Sequence, residues 1–479
     1  MTVQTARPSS SSARLGPLWA VVGLLVVVEL TSGVLQGYYT PLLTTIARHL
    51  GIHDADVNWF EGTQLMVSTI VVPAFARLGD MVGHRRLLAI SAGITAAATL
   101  GLCLATSFWM FLLCWAVQGF YTVWLPLEIA LVYGRARRWP QAAGLTRQAS
   151  GILVAALEIG VIAGALAGGV LGDAWAGRLW AVLLVPGIIV AVCFAVVCFG
   201  IRDLGEPAGG RLDVPGLALI TAALLALAGG LSLMRILGPE SALPWAAIAA
   251  GIVLLWPFAR HELRQDEPLI DVRMLGRPDM WPVQLTAGLF GVSVLGAQAP
   301  LSTFARTDAA VHGYGLSASS SQVSLLIGVY VLTMLVGALL FPVVTRVLAP
   351  RLTLIGAAVL VAIGYGLFLV SRGSMGAVLA NMAIAGVGSG ALVAALPAAA
   401  AAAAPVGQTG VATGLTNTTK TLGGAVASCV FGVALLHGAS GTAGSLAGYL
   451  TVWGLCGATA LIAAVCLLFV PRDAFGRGA

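Results

Sequence analysis

Charged side chains are scarce in this chain: of 479 residues only 9% are Asp, Glu, Lys or Arg, while 59% are hydrophobic and the mean hydropathy is +0.96. Soluble domains carry about 25% charged residues, so a soluble globule is excluded. Lysine is almost missing, with Lys420 alone against 24 arginines. The seven cysteines all fall in apolar runs and none is spaced as CxxC, so they read as small core hydrophobes and not as a disulfide framework or metal site. There is no P-loop, no HExxH and no paired metal motif, and of six histidines only His437 lies within or beside an apolar run. These absences argue against a membrane metalloenzyme, and no cofactor or metal is expected.

What is present is a series of about fourteen apolar runs, most of them roughly 18 to 25 residues long and so able to cross a hydrocarbon core of about 30 Å as helices. They lie near 16–39, 59–78, 87–106, 108–133, 148–171, 179–201, 214–234, 243–259, 281–304, 323–344, 352–370, 376–401, 412–436 and 449–470. The seventh and eighth are the weakest, so twelve or thirteen spans stay open. The chain reads as an all-α polytopic membrane protein. The first run is too long for a signal-peptide core and should remain as an anchor.

An even count puts both termini on one side. The odd-numbered connections hold only Arg48, Arg178, Arg235, Arg306 and Arg372 of the 25 basic residues, so by the positive-inside rule both termini are expected in the cytoplasm. The net charge of +6 then reports topology and lipid contact, not nucleic-acid binding. Residues 1–15 and 471–479 are expected to be cytoplasmic tails, the first of them disordered.

A weak repeat suggests two bundles. Span 2 exits as PAFARLGDMVGHRR and span 10 as PVVTRVLAPR; in each an arginine follows four residues after the proline (Arg77, Arg346) and another closes the loop (Arg86, Arg351). Parallel repeats fit a transporter whose path lies between halves. Residues 16–201 would form one six-helix bundle and 281–470 the other. Residues 202–280 would supply two extra central helices and a charged cytoplasmic linker with a short amphipathic turn.

Gly160, Gly164 and Gly168 recur every four residues in span 5 and form a stripe on which another helix can pack closely; Gly151 and Gly169 flank it. Four acids fall in apolar runs, where a charge at mid-membrane costs about 2.5–3.5 kcal/mol and so usually faces a cavity or a partner. Glu29 and Glu158 lie near the middle of spans 1 and 5 and are the preferred coupling candidates; Glu61 and Glu128 lie nearer span ends and have interfacial or structural readings as well. Glu29, Ser32, Gln36 and Tyr39 share one face of span 1, and Gln118, Tyr121 and Glu128 one face of span 4. Thr413, Thr416, Asn417 and Lys420 make a polar face on span 13, with Lys420 the natural counter-ion of a carboxylate. These faces are cavity-lining candidates.

ARLGDMVGHRR, from Ala76, resembles the loop signature GxLaDrxGrr of the major facilitator superfamily, with Asp80, Gly83, Arg85 and Arg86 at its acidic, glycine and basic positions. The resemblance implies a cytoplasmic latch there. Gly151, Gly160, Gly164, Gly168 and Gly169 are in register with that superfamily's antiporter signature, GxxxxxxxxGxxxGPxxGG, with Ala165 at the proline position. GVATGLTNTTKTLGGAVAS from Gly410, RLDVPGLAL from Arg211 and EPLIDVRML from Glu267 resemble segments of its fourteen-span drug:proton antiporters. Of the span 4 signature RxxQG, Gln118 and Gly119 are present and Trp115 replaces the arginine that the family links to proton coupling.

The resemblance implies a major facilitator fold of two six-helix bundles plus two extra helices, in a bacterial plasma membrane. It implies secondary export of amphipathic small molecules, cations among them, in exchange for protons, as in multidrug efflux. Partners are then a small-molecule substrate, protons and the lipid bilayer, and a single chain should suffice. A sodium-coupled or uncoupled exporter of a metabolite or lipid, and a sensor built on a transporter fold, remain open alternatives.

Overall fold

Where no water reaches the backbone its polar groups must satisfy each other along the chain, and helix is the local way to do so. The computed structural model is 84% helix, with no strand among the described residues. These are 18–137, 139, 142–201, 212–265, 268–404, 409–439 and 441–470; at 142, 143, 147, 235, 409 and 410 the backbone alone is described. Both tails and the connection at 202–211, including Arg211, lie outside them, as does Glu267.

Thirteen helices among the described residues are long and apolar enough to cross a membrane. They are spans 2 to 14 of the sequence. The uncertain seventh and eighth are full helices, Val214–Met234 and Ala242–Glu262. Span 1 is the helix Leu25–Tyr38, continued back to residue 18 across Gly23, whose φ of +50° interrupts it. Beyond it lies an unforeseen amphipathic helix, Leu43–Leu50, closed by left-handed Gly51.

Two spans are broken near a proline. Span 4 runs as Phe108–Gln118, a tightened stretch Gly119–Val123, then Trp124–Ala136, which contains Pro126. Span 9 runs as Trp281–Gly291, a widened turn Val292–Gly296, then Gln298–Arg306, which contains Pro300. Proline lacks an N–H and its ring crowds the carbonyl four residues back, here Thr122 and Gly296, so each irregular stretch sits where the ladder would fail.

Spans 1–6 and 9–14 each enclose their own apolar core. The repeat is visible in the contacts. Span 1 packs on 5 as 9 packs on 13, and span 3 on 6 as 11 on 14. Arg85 donates to the carbonyls of Cys198 and Ile201 at the end of span 6, and Arg351 to those of Leu467 and Leu468 at the end of span 14. Arg85, not Arg86, is therefore the structural counterpart of Arg351. Spans 7 and 8 form a hairpin whose small core of Ile220, Leu224 and Phe258 touches Ile70 of span 2 and Leu422 of span 13.

Asp213 caps span 7, accepting the Gly216 N–H at 3.0 Å and meeting His261 Nε2 at 2.8 Å. Burial works against its charge, but these contacts outweigh it and hold the carboxyl below the ordinary carboxylate range. The linker's short turn is Val272–Leu275, capped by Asp271.

The glycine stripe brings spans 1 and 5 together backbone to backbone. A Cβ at Gly160 would collide with the Leu30 carbonyl, one at Gly168 with the Tyr38 carbonyl, and one at Gly164 would stand 2.6 Å from the Val34 carbonyl. Span 13 repeats the device: a Cβ at Gly423 would collide with the Gly288 carbonyl of span 9. Gly151 is different, with no atom of the described residues within 4 Å of where its Cβ would stand. Gly160→Ala should therefore destabilise the protein by about 1–3 kcal/mol, the usual cost of overpacking. Gly151→Ala should be neutral or stabilising by up to about 1 kcal/mol. Thermal melts of the two variants in one detergent compare them directly; equal melting points would contradict the packing described.

Candidate functional site

The halves meet where span 5 lies on span 10 and span 2 on span 13. Span 10 begins with a run of serines, and the free N–H groups of that helix end attract an anion. Asp173, from the end of span 5, accepts the Ser320 N–H at 3.0 Å, the Ser321 N–H at 2.9 Å and the Ser321 hydroxyl at 2.6 Å. Nearby, Ser324 Oγ donates to the Ala165 carbonyl at 2.6 Å, Ser302 Oγ to the Thr40 carbonyl at 2.5 Å, and the Asp54 N–H to the Thr442 carbonyl at 2.8 Å. All these bonds join the two halves at the end of the bundle that holds Asp173. Gly169 faces span 10, where a Cβ would stand 2.7 Å from the Ser320 carbonyl.

Gly151, Glu158, Ala165 and Gly172 repeat every seven residues and so share a face of span 5. At Ala165 and Gly172 that face is packed on span 10; at Gly151 it is open. A cleft between the halves thus widens away from Asp173. Towards its narrower end lies a pocket lined by Gln36 and Val161 of the first half and by Gln298, Ile327, Tyr330 and Tyr365 of the second.

Glu158 and Lys420 face this cleft from opposite halves. Both side chains are half-buried, and each is the charge that acts on the other. Glu158 also acts on Tyr330, whose hydroxyl donates to Ser389 Oγ at 3.0 Å. Asn417 is half-buried one turn before Lys420.

Glu29 and Glu128 are brought together inside the first half, where spans 1, 4 and 6 meet. Both residues are completely buried. Their carboxyl groups lie within hydrogen-bonding reach of each other, and none of the four oxygens receives a bond from any other described group. Cys193 acts on both, Arg135 on Glu128, and Tyr121 faces Glu29. Two contacting carboxylates out of water cannot both carry charge without great cost, so such a pair shares a proton. Glu61 stands apart, half-buried on span 2 and acting on Tyr121.

Of the cavity-lining candidates, Asn417 and Lys420 are half-buried, while Gln36 is exposed and lines the pocket between the halves. Ser32, Tyr39, Gln118 and Tyr121 are buried within the first half. Gln118 Nε2 donates to Tyr39 Oη at 3.1 Å and Thr99 Oγ1 at 3.0 Å, and its Oε1 accepts from Gln64 at 3.2 Å. Trp115 packs beside it against Tyr39, Phe60 and Phe111, at centroid distances of 4.9, 5.7 and 5.7 Å. Asp80, in the last turn of span 2, meets His84 at the start of span 3 at 3.2 Å, while Arg85 caps span 6; Gly83 between the helices takes φ +101°, and Arg86 is exposed.

Sequence reasoning missed Asp173 and Gln284. Gln284 is buried and ties span 9 to span 13 by donating to Thr416 Oγ1 at 3.0 Å. The signal for Asp173 was its place just past the last glycines of span 5, next to a serine-rich helix start.

Comparison with known proteins places this geometry. A family model described as Major Facilitator Superfamily matches residues 25–428. The chain is 28% identical over 415 residues to the cephamycin export protein CmcT of Amycolatopsis lactamdurans, covering 85% of this chain and 82% of that one. It is 25% identical over 433 residues to a probable actinorhodin transporter of Streptomyces coelicolor, covering 86% and 72%. Among solved structures, that of the nucleoside transporter NupG matches 94% of this chain and 99% of that one with a TM-score of 0.64 at 12% identity, a likeness of fold. The relatives and the fold are those of membrane transporters.

Replacing Asp173 by Ala removes three hydrogen bonds to the start of span 10, each charge-assisted bond of this kind contributing about 1.5–3 kcal/mol. Amide hydrogen exchange across residues 320–326 should then rise at least tenfold relative to span 11. Unchanged exchange there would mean that Asp173 does not hold the halves together.

Proposed function

The chain belongs to the Major Facilitator Superfamily, and we propose that it exports amphipathic small molecules across the bacterial plasma membrane in exchange for protons, by alternating access. The observation that carries this reading is the Glu29–Glu128 pair. Four carboxyl oxygens hidden from water with no donor but one another form a site whose occupant is a proton. Trp115 removes the arginine on which the family's coupling is thought to depend, and the carboxyl pair supplies a proton site that needs no arginine.

Charge changes at this pair reach the cleft through rigid packing. Span 1, which carries Glu29, is locked on span 5, which carries Glu158, by Gly33, Gly160 and Gly164. Proton loss leaves a buried charge that favours whichever arrangement admits water, and substrate in the cleft favours another; exchange follows from that difference. The asymmetry of basic residues puts the open, Asp80 end of the cleft in the cytoplasm, together with both termini. Substrate would enter there. The repeated halves enclose the cleft themselves, so one chain suffices. The names of the two relatives support a small-molecule cargo, and export is the direction in which proton entry from outside does work.

Proteoliposomes with a pH-sensitive dye inside test the reading. Addition of a transported fluorescent amine should move protons through the wild type. Glu29→Gln and Glu128→Gln should each reduce that movement at least tenfold while the purified variants still bind the amine. Proton movement intact in both variants would remove the pair as the coupling site, and efflux indifferent to a protonophore would remove proton exchange altogether.

A further inference from the structure

Lys420 is the sole lysine of the chain and sits inside a membrane span. Glu158 faces it from the other half. The two occupy related places in the repeat. Gly33 of span 1 packs on the carbonyl of Leu157, the residue before Glu158, and Gly291 of span 9 packs on the carbonyl of Lys420 itself. Each charged residue is thus mounted where its span is held most rigidly.

Two opposite charges placed this way would be expected to close on each other, since unpaired charge at membrane depth is costly. They do not. No nitrogen–oxygen contact within 4.0 Å joins them, and neither side chain makes a hydrogen bond or ion pair with another described residue. Neither charged group is sealed from the cleft. Each therefore keeps hydrogen-bonding capacity that no described residue satisfies.

Resting on the export reading, we propose that Glu158 and Lys420 form a two-headed binding site for an amphipathic zwitterion, Glu158 taking its cationic nitrogen and Lys420 its carboxylate. The ligand's apolar body lies against Val161, Ile327 and Tyr330, which line the adjoining pocket. Tyr330 links the two parts, because it lines that cavity and feels the Glu158 charge. A purely cationic ligand satisfies Glu158 and leaves Lys420 unpaired and repelled; a purely anionic one does the reverse. A site of one positive and one negative charge discriminates for a guest of the same kind. Because its two heads come from different halves, the guest also bridges the parts that must move.

Rhodamine B and its ethyl ester are a matched pair of probes, esterification removing the carboxylate and leaving the cation. Binding of each to the full-length protein in nanodiscs is read by fluorescence anisotropy. Wild type should bind rhodamine B at least tenfold more tightly than the ester. Lys420→Gln should abolish that preference by weakening rhodamine B alone, Lys420→Arg should keep it, and Glu158→Gln should weaken both dyes. Absence of rhodamine B binding, equal binding of the two dyes by wild type, or loss of both dyes alike in Lys420→Gln would overturn the proposal. The wild-type comparison stands whether or not a variant folds. Efflux from liposomes separates the two readings. Preferential binding without efflux contradicts export and leaves the site, whereas equal efflux of both dyes supports export and overturns the site.

Discussion

Helices in a bilayer gain little from hiding apolar side chains from one another, because lipid is as apolar as leucine. What holds this molecule in shape is close backbone approach. On one side Gly33, Gly37, Gly160, Gly164 and Gly168 let spans 1 and 5 touch main chain to main chain; on the other, Gly288, Gly291 and Gly423 do the same for spans 9 and 13. Spans 5 and 13 are also those that cross to the opposite half, on spans 10 and 2. The rigid contact within each half and the separable contact between halves thus lie on the same two helices. Between halves, Asp173 and serine hydroxyls join spans 5 and 10 while Trp59 and Met66 pack on Ala425 and Cys429 at spans 2 and 13; within each half the contact is close backbone packing, to which Gln284 and Thr416 add a hydrogen bond between spans 9 and 13.

Charge is distributed on this frame in two layers. Glu29 and Glu128 are completely buried inside one half, and Glu158 and Lys420 are half-buried on opposite halves. If the proposed coupling pair and binding site are both right, proton and substrate need not displace one another directly. On that proposal they communicate through the span 1 to span 5 contact, whose close packing mounts Glu29 and Glu158 on one pair of helices. The extra hairpin of spans 7 and 8 touches spans 2 and 13, one from each half, and so lines the seam along which the halves separate.

Much of the fold is readable from the chain because the bilayer leaves so few choices. Long apolar runs had to be helices, and the four-residue glycine spacing had to make a stripe. The stripe's extent was not readable: Gly151 is in register with the antiporter signature yet lies on the face of Glu158, turned away from Gly160, and Gly169 serves span 10 instead of span 1. Helical faces predicted which residues travel together on one span. They could not say which span each face meets, so the pairing of Glu29 with Glu128 and the burial of Gln118 with Tyr39 and Thr99 emerged only from the packing. The repeat was visible at Pro73 and Pro342, but its arginine register was off by one, because a short match cannot distinguish Arg85 from Arg86 and hydrogen bonds to the ends of spans 6 and 14 can.

The central claim is that two rigid halves exchange access to one cleft. It is tested most directly by electron–electron double resonance on a cysteine-replaced background in nanodiscs. One spin-label pair at Tyr133 and Val347 reports the Asp80 end, and a second at Trp175 and Val311 reports the Asp173 end; all four positions are exposed. Reciprocal distance changes are predicted as pH and substrate are varied, the first pair shortening as the second lengthens. If both pairs held a single distance under all conditions, or lengthened together, the account would be contradicted.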